Sequence, residues 1–126
     1  TIGDRTFQKT QLTSITIPDS VINIEQYAFS LNQLTSVIIP NSVTSIGYVA
    51  FNSNQLTNIT ISSSNTSIGQ YTFLMNQITT VIIPSNVELL SYSISPSFYT
   101  AYVTNNSRAE GTYTAPSQTG TWTKQS

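Results

Sequence analysis

The sequence predicts a repeat solenoid: short parallel β-strands with helical or irregular turns, closed at one end by a C-terminal helix and β-hairpin. Three observations predict it. Phe7, Phe29, Phe51 and Phe73 recur every 22 residues, and so do Ile17, Ile39, Ile61 and Ile83. A fixed period of roughly 20 to 29 residues is the mark of a solenoid. Each copy carries a short β-branched run, and three of the four runs end in proline (Pro18, Pro40, Pro84). The pattern then yields to an aromatic-rich tail. Four copies cover 2–23, 24–45, 46–67 and 68–89, so residues 1–90 read as the stack and 91–126 as a capping segment.

Within a copy, Leu34-Thr35-Ser36-Val37-Ile38-Ile39 is the strand, β-branched and bounded by Asn32-Gln33 before and Pro40 after. Proline lacks an N–H and stops the ladder. The corresponding run in the first copy, Leu12 to Ile17, is expected to be a strand as well. Asn41-Ser42 turns the chain, and Val43 and Ile46 face inward on a short extended piece. Gly47 to Phe51 is expected to make one helical turn that points Ala50 and Phe51 into the coil. One coil buries too little apolar surface to stand alone, so stacking is obligatory.

Asn32, Asn54 and Asn76 form one column, three residues past each phenylalanine, with Thr10 in that place in the first copy. They read as a buried structural ladder whose amides satisfy backbone groups, or else as solvent-facing turn asparagines. The joint pattern, I-G-x-x-x-F (Ile2-Gly3 to Phe7, Ile46-Gly47 to Phe51, Ile68-Gly69 to Phe73) followed by N-Q-L-T-x-V-x-I-P-x-x-V (Asn32 to Val43), resembles the BspA-like leucine-rich repeats of bacterial surface proteins. The resemblance covers roughly residues 2 to 90. It implies a curved leucine-rich-repeat solenoid, a cell-surface or secreted location, and adhesion or binding to a host protein. That family usually places Cys or a small residue in the Asn column and often has a 23-residue period, so the turn here is a variant.

Past Ile83 the register fails: Leu90 stands where the next isoleucine belongs, and Ser95 where the next phenylalanine belongs. Ser95-Pro96 starts a helix, with Phe98, Ala101, Tyr102 and Asn105 at helical spacing. Gly111–Thr114 and Gly120–Thr123 read as two strands across a loop containing Pro116, with Tyr113 and Trp122 on one side. This segment covers the last coil; the rival reading makes Tyr99, Tyr102, Tyr113 and Trp122 a sugar-binding platform. Thr1 opens in mid-pattern, so the chain reads as a piece of a longer, exported protein, and its uncovered N-terminal end is expected either to self-associate with a second chain or to fray.

Little chemistry is on offer. Only 7% of residues are charged and the net charge is −1, which argues against nucleic acid and anionic membranes as partners. With no His and no Cys, Ser-His and Cys-His nucleophiles and most transition-metal sites are excluded. No cofactor is expected. The five carboxylates, Asp4, Asp19, Glu25, Glu88 and Glu110, sit singly at turns. No apolar run of about 18 residues occurs, so no membrane insertion is expected. What remains is binding, through the strand residues that face away from the core: Ser14 with Thr16, Ser36 with Ile38, Asn58 with Thr60, and Thr80 with Ile82. This uncharged grid suits a protein ligand. Carbohydrate binding, a purely structural spacer, and plain β-rich surface are the alternatives.

Overall fold

The computed structural model describes residues 1–63, 66–90 and 92–126. It is a solenoid with two sheets on its flanks. The short strands β1 (Asn23–Ile24), β3 (Ser45–Ile46), β5 (Ser67–Ile68) and β7 (Glu88–Leu89) form one parallel sheet in that order. The longer strands β2 (Ser36–Ile39), β4 (Asn58–Ile61) and β6 (Thr80–Ile83) form the other; it continues through β8 (Gly111–Thr114) and β9 (Thr123–Lys124). β2, β4 and β6 pair in parallel, residue for residue at the 22 spacing, whereas β8 joins β6 antiparallel. Between the sheets the phenylalanines stack in file. Ring centroids from Phe7 to Phe29, Phe51 and Phe73 are 5.3, 5.1 and 5.3 Å apart, and the ring planes lie within 12° of each other. Leu34, Leu56 and Ile78 are wholly buried beside them.

The turn that carries each phenylalanine is not the expected helical turn. Non-glycine residues adopt left-handed φ in two columns: Arg5, Tyr27, Val49 and Tyr71 at 54 to 63°, and Lys9, Leu31, Ser53 and Met75 at 56 to 59°. That conformation costs an ordinary L-residue about 1–2 kcal/mol. The backbone ladder it makes explains why the fold keeps it. The N–H groups of Tyr27, Phe29 and Leu31 all donate across to the Tyr48, Ala50 and Asn52 carbonyls of the next coil at 2.8–3.0 Å. The same three-bond row joins coil one to coil two and coil three to coil four, at 2.8–3.2 Å. A helix would turn those donors onto its own carbonyls and leave the coils unjoined.

Two further expectations are corrected. Residues 12–17 form no strand: their one backbone bond to the second coil is the Gln33 N–H donating to the Leu12 carbonyl. At the other end the last coil is one residue short, since Ser67 pairs with Glu88, 21 positions on. Leu89 rather than Leu90 therefore takes the isoleucine column, and Leu90 is exposed. By the same offset Ile94 follows Phe73, and it is buried.

The tail then folds over this coil. Helix α1 (Pro96–Tyr99) is capped by Ser95, whose Oγ accepts from the Phe98 N–H at 3.0 Å, and it runs on as a π-helical turn, Thr100–Asn105. Phe98 meets Trp122 and Tyr113 edge to face at 5.1 and 5.6 Å, and lies parallel to Tyr102 at 5.9 Å. Such contacts add to the stabilisation from buried area. Tyr102, Tyr113 and Trp122 are buried, so they form a core and no sugar platform.

Candidate functional site

The sheet of longer strands turns one face to the core and the other to solvent. In β2, Val37 and Ile39 are buried while Ser36 and Ile38 are exposed; β4 and β6 alternate in the same sense. The outward residues form two columns, Ser36-Asn58-Thr80 and Ile38-Thr60-Ile82. Ile38 is 67% exposed and Ile82 46%, which leaves two aliphatic side chains standing in a field of hydroxyls and one amide.

The face does not stop at β6. Thr114 lies opposite Thr80 and is followed by Thr123, while Thr112 lies opposite Ile82. Paired residues share a face, so Thr112, Thr114 and Thr123 extend the grid to five strands. Gln125 crosses its far edge, with Nε2 donating to Thr114 Oγ1 at 2.6 Å. The threonines were missed as part of the face because their sequence signals, a G-T-Y-T and a G-T-W-T run, do not reveal which strand each will join; of the second run only Thr123 is in a strand. At the near edge Ser14 and Thr16 are exposed, but they lie off the ladder, since 12–17 is not a strand. A gap of 300 Å³ separates Ile15, Thr16 and Ile17 from Ser36, Val37 and Ile38.

The asparagine column lies behind the face, at the turn into each strand. Asn54 Oδ1 accepts from the Leu34 N–H at 3.1 Å, and its Nδ2 donates to the Phe29 and Phe51 carbonyls at 3.0 Å. Asn76 repeats this with Leu56, Phe51 and Phe73 at 2.9–3.0 Å. Asn32 bonds Leu12, Phe7 and Phe29 and also takes the Thr10 N–H. Each side chain therefore ties two coils together. The column is continued from the tail: Gln118 Nε2 donates to the Phe73 and Ile94 carbonyls at 3.0 and 2.8 Å, the bonds an asparagine would make in the next coil.

Two other surface features flank the stack. Tyr27, Tyr48, Tyr71 and Tyr92 form a part-exposed ridge with centroids 5.6–5.9 Å apart, and the Arg5 guanidinium stands 4.5 Å over Tyr27. A cleft of 670 Å³ runs between Leu74, Met75 and Gln77 of the fourth coil and Pro96, Pro116 and Ser117 of the tail. Among the described residues no three of His, Cys, Asp or Glu converge, and no helix is long and apolar enough to cross a membrane. The one ion pair among them, Asp4 with Arg5 at 2.9 Å, is between sequence neighbours and exposed. The face can therefore offer shape, hydrogen bonds and a small aliphatic centre.

No curated protein and no solved structure matched the chain. The model of the BspA type leucine-rich repeat region matches residues 1–107, in six copies. With stacked coils, in-file phenylalanines and that match over most of its length, the chain belongs to the BspA-type leucine-rich repeat family.

Proposed function

We propose that the chain is a non-catalytic recognition module of a surface or secreted bacterial protein, displaying its outer sheet face to a protein ligand on a host surface. Residues 1–90 carry three strands of the display, and 91–126 both close the stack and add β8 and β9 to the face. The observation that carries the reading is the exposure of Ile82 on the central strand β6 and of Ile38 on the edge strand β2, within one column of an uncharged grid. Large aliphatics left in water on a rigid sheet are an apolar centre, and the Ser, Thr and Asn around them supply the polar rim of an interface. With no charged side chain in the two columns, affinity should change little with ionic strength.

Five strands at about 4.8 Å spacing and about 13 Å of strand length give a face near 250 Å². A standard interface buries about 800 Å² per partner. The face would thus act together with flanking turns or hold its partner weakly.

The test compares the native chain with Ile38→Glu plus Thr60→Arg, both solvent-facing changes, on immobilised extracellular host proteins and on a glycan array. Loss of protein binding in the double variant supports the reading. Unchanged binding removes the sheet face from it, and binding to glycans alone would favour a carbohydrate-binding repeat. A chain that binds in neither assay would be a spacer.

A further inference from the structure

The cleft between the fourth coil and the tail holds two hydrogen-bonding groups that the fold leaves open. In the inter-coil rows the third bond runs from the Lys9, Leu31 and Ser53 N–H groups to the Ser30, Asn52 and Leu74 carbonyls at 3.0–3.1 Å. Between the fourth coil and the tail the row keeps its first two bonds, Tyr71 to Tyr92 and Phe73 to Ser93, and loses the third. The carbonyl that would take the Met75 N–H is that of Ser95, 21 positions after Leu74 by the offset that pairs Ser67 with Glu88. Helix α1 has claimed it, since the Tyr99 N–H donates to that carbonyl at 3.0 Å. The Met75 N–H therefore has no partner in the protein, and Met75 stands 69% exposed in the cleft wall.

The tail wall holds the second group. Gln118 is 8% exposed, with its Nε2 fixed by the Phe73 and Ile94 carbonyls. Each asparagine of the ladder has its Oδ1 filled by a strand N–H, but Gln118 Oε1 accepts no such bond. The oxygen is not sealed off: among the described residues only Ser42 Oγ is both buried and unpaired. Around these groups Leu74, Met75, Pro96 and Pro116 make an aliphatic lining, and the walls carry no charged side chain and no aromatic ring.

We propose that this cleft binds an extended, uncharged peptide segment of the protein ligand, which deepens the reading of the sheet face as a protein-binding surface and rests on it for its partner. A peptide backbone brings what the open groups lack, a carbonyl for the Met75 N–H and an N–H for Gln118 Oε1. Its side chains would lie on the aliphatic walls, where the flexible Met75 thioether adapts to their shape. A charged side chain drawn in here would lose water and meet no counter-ion. A sugar fits less well, with no aromatic face to stack on its ring. The cleft volume of 670 Å³ lies within the range of about 300–1,000 Å³ usual for ligand sites. Thr57 and Thr79 line the cleft and directly precede the outward Asn58 and Thr80, so one partner chain can cross from the face into the cleft. That crossing adds contact to a face which alone is well short of a standard interface.

The probe is a random-peptide phage library selected on the immobilised native chain, with the enriched peptides then synthesised and titrated. Peptides uncharged over the bound stretch should be enriched, and should slow exchange of the Met75 amide by about tenfold or more. Met75→Asp keeps a left-handed backbone that aspartate tolerates. It and Ser117→Arg, on the opposite wall, should each weaken these peptides by about tenfold or more. The amide readout on the native chain stands even if a variant fails to fold. Ile38→Glu plus Thr60→Arg should leave the short peptides bound while losing the host protein, which separates cleft from face. Host-protein binding that ignores this face variant but falls with Met75→Asp would remove the face and keep the cleft. No enrichment, enrichment of charged peptides, peptide binding that follows the face variant and not Met75→Asp, or protection of the Met75 amide by a glycan instead would each overturn the proposal.

Discussion

Replacing Asn54 by leucine tests the asparagine ladder most directly, because the two side chains share a skeleton branched at Cγ and differ in hydrogen bonding. Asn54 is 8% exposed and serves three backbone groups. The Leu34 N–H would lose its partner outright, and stranding a buried donor costs about 1–3 kcal/mol. The Phe29 and Phe51 carbonyls would each keep a second bond, from Asn32 and Asn76 respectively. Each therefore loses only the net worth of one bond, about 0.5–1 kcal/mol. The sum is about 3 kcal/mol, a large part of the roughly 5–15 kcal/mol that holds a domain folded. Asn32→Leu should cost less, about 1–2 kcal/mol, because the Thr10, Leu12 and Phe7 groups it serves lie where water can replace it. Urea unfolding with a constant slope reads both differences. The double change at Asn54 and Asn76 strips the Phe51 carbonyl of both donors and should exceed the sum of the single losses by about 1 kcal/mol. A loss under about 1 kcal/mol for Asn54→Leu, or equal losses at Asn32 and Asn54, would refute the reasoning.

Two shorter predictions follow from packing and burial. A Cβ at Gly47 would lie 2.6 Å from the Gln26 nitrogen and 2.8 Å from the Glu25 carbonyl carbon of the preceding coil. Gly47→Ala should thus lower stability by about 1–3 kcal/mol. Gly3→Ala, which meets only the Thr6 hydroxyl at 3.2 Å, should stay within about 0.5 kcal/mol; urea unfolding reads both. Burial pushes the Tyr102 and Tyr113 phenols above the usual tyrosine range; the Val87 N–H bonded to Tyr102 pulls that one partly back. The unfolded chain releases these protons from about pH 10 while the folded chain still holds them. Stability should therefore be intact below that pH and fall as pH rises through the folded values. Melting curves between about pH 8 and 11 check this. Tyr102→Phe should flatten the fall, while losing stability at neutral pH with its bonds to Pro84 and Val87.

Much of the fold could be read residue by residue. The 22-residue spacing of phenylalanine and isoleucine states which side chains share a column, and strand alternation then assigns Ser36, Ile38, Asn58, Thr60, Thr80 and Ile82 to the outer face. What escaped reading involved groups that meet only in space. The left-handed residues carry no glycine to announce them: Tyr27, Val49 and Met75 adopt that conformation because a neighbouring coil offers carbonyls. One missing residue in the last coil hid Ile94 behind a broken register. The Gln118 amide reaches the ladder from 45 residues past Phe73, a meeting no local pattern encodes.

The sequence by itself determined the period, the inward columns and the poverty of catalytic groups, because each is a property of residue type and spacing. The tertiary structure alone decided that β8 joins β6 and widens the outer face, that the tail aromatics are core, and that 14–17 leaves β2 as the edge strand. Those outcomes depend on which backbone hydrogen-bonding groups find partners across the stack. A chain spells out the side chains that want burial, but the direction in which its N–H and carbonyl groups point is settled only when one coil lies against the next.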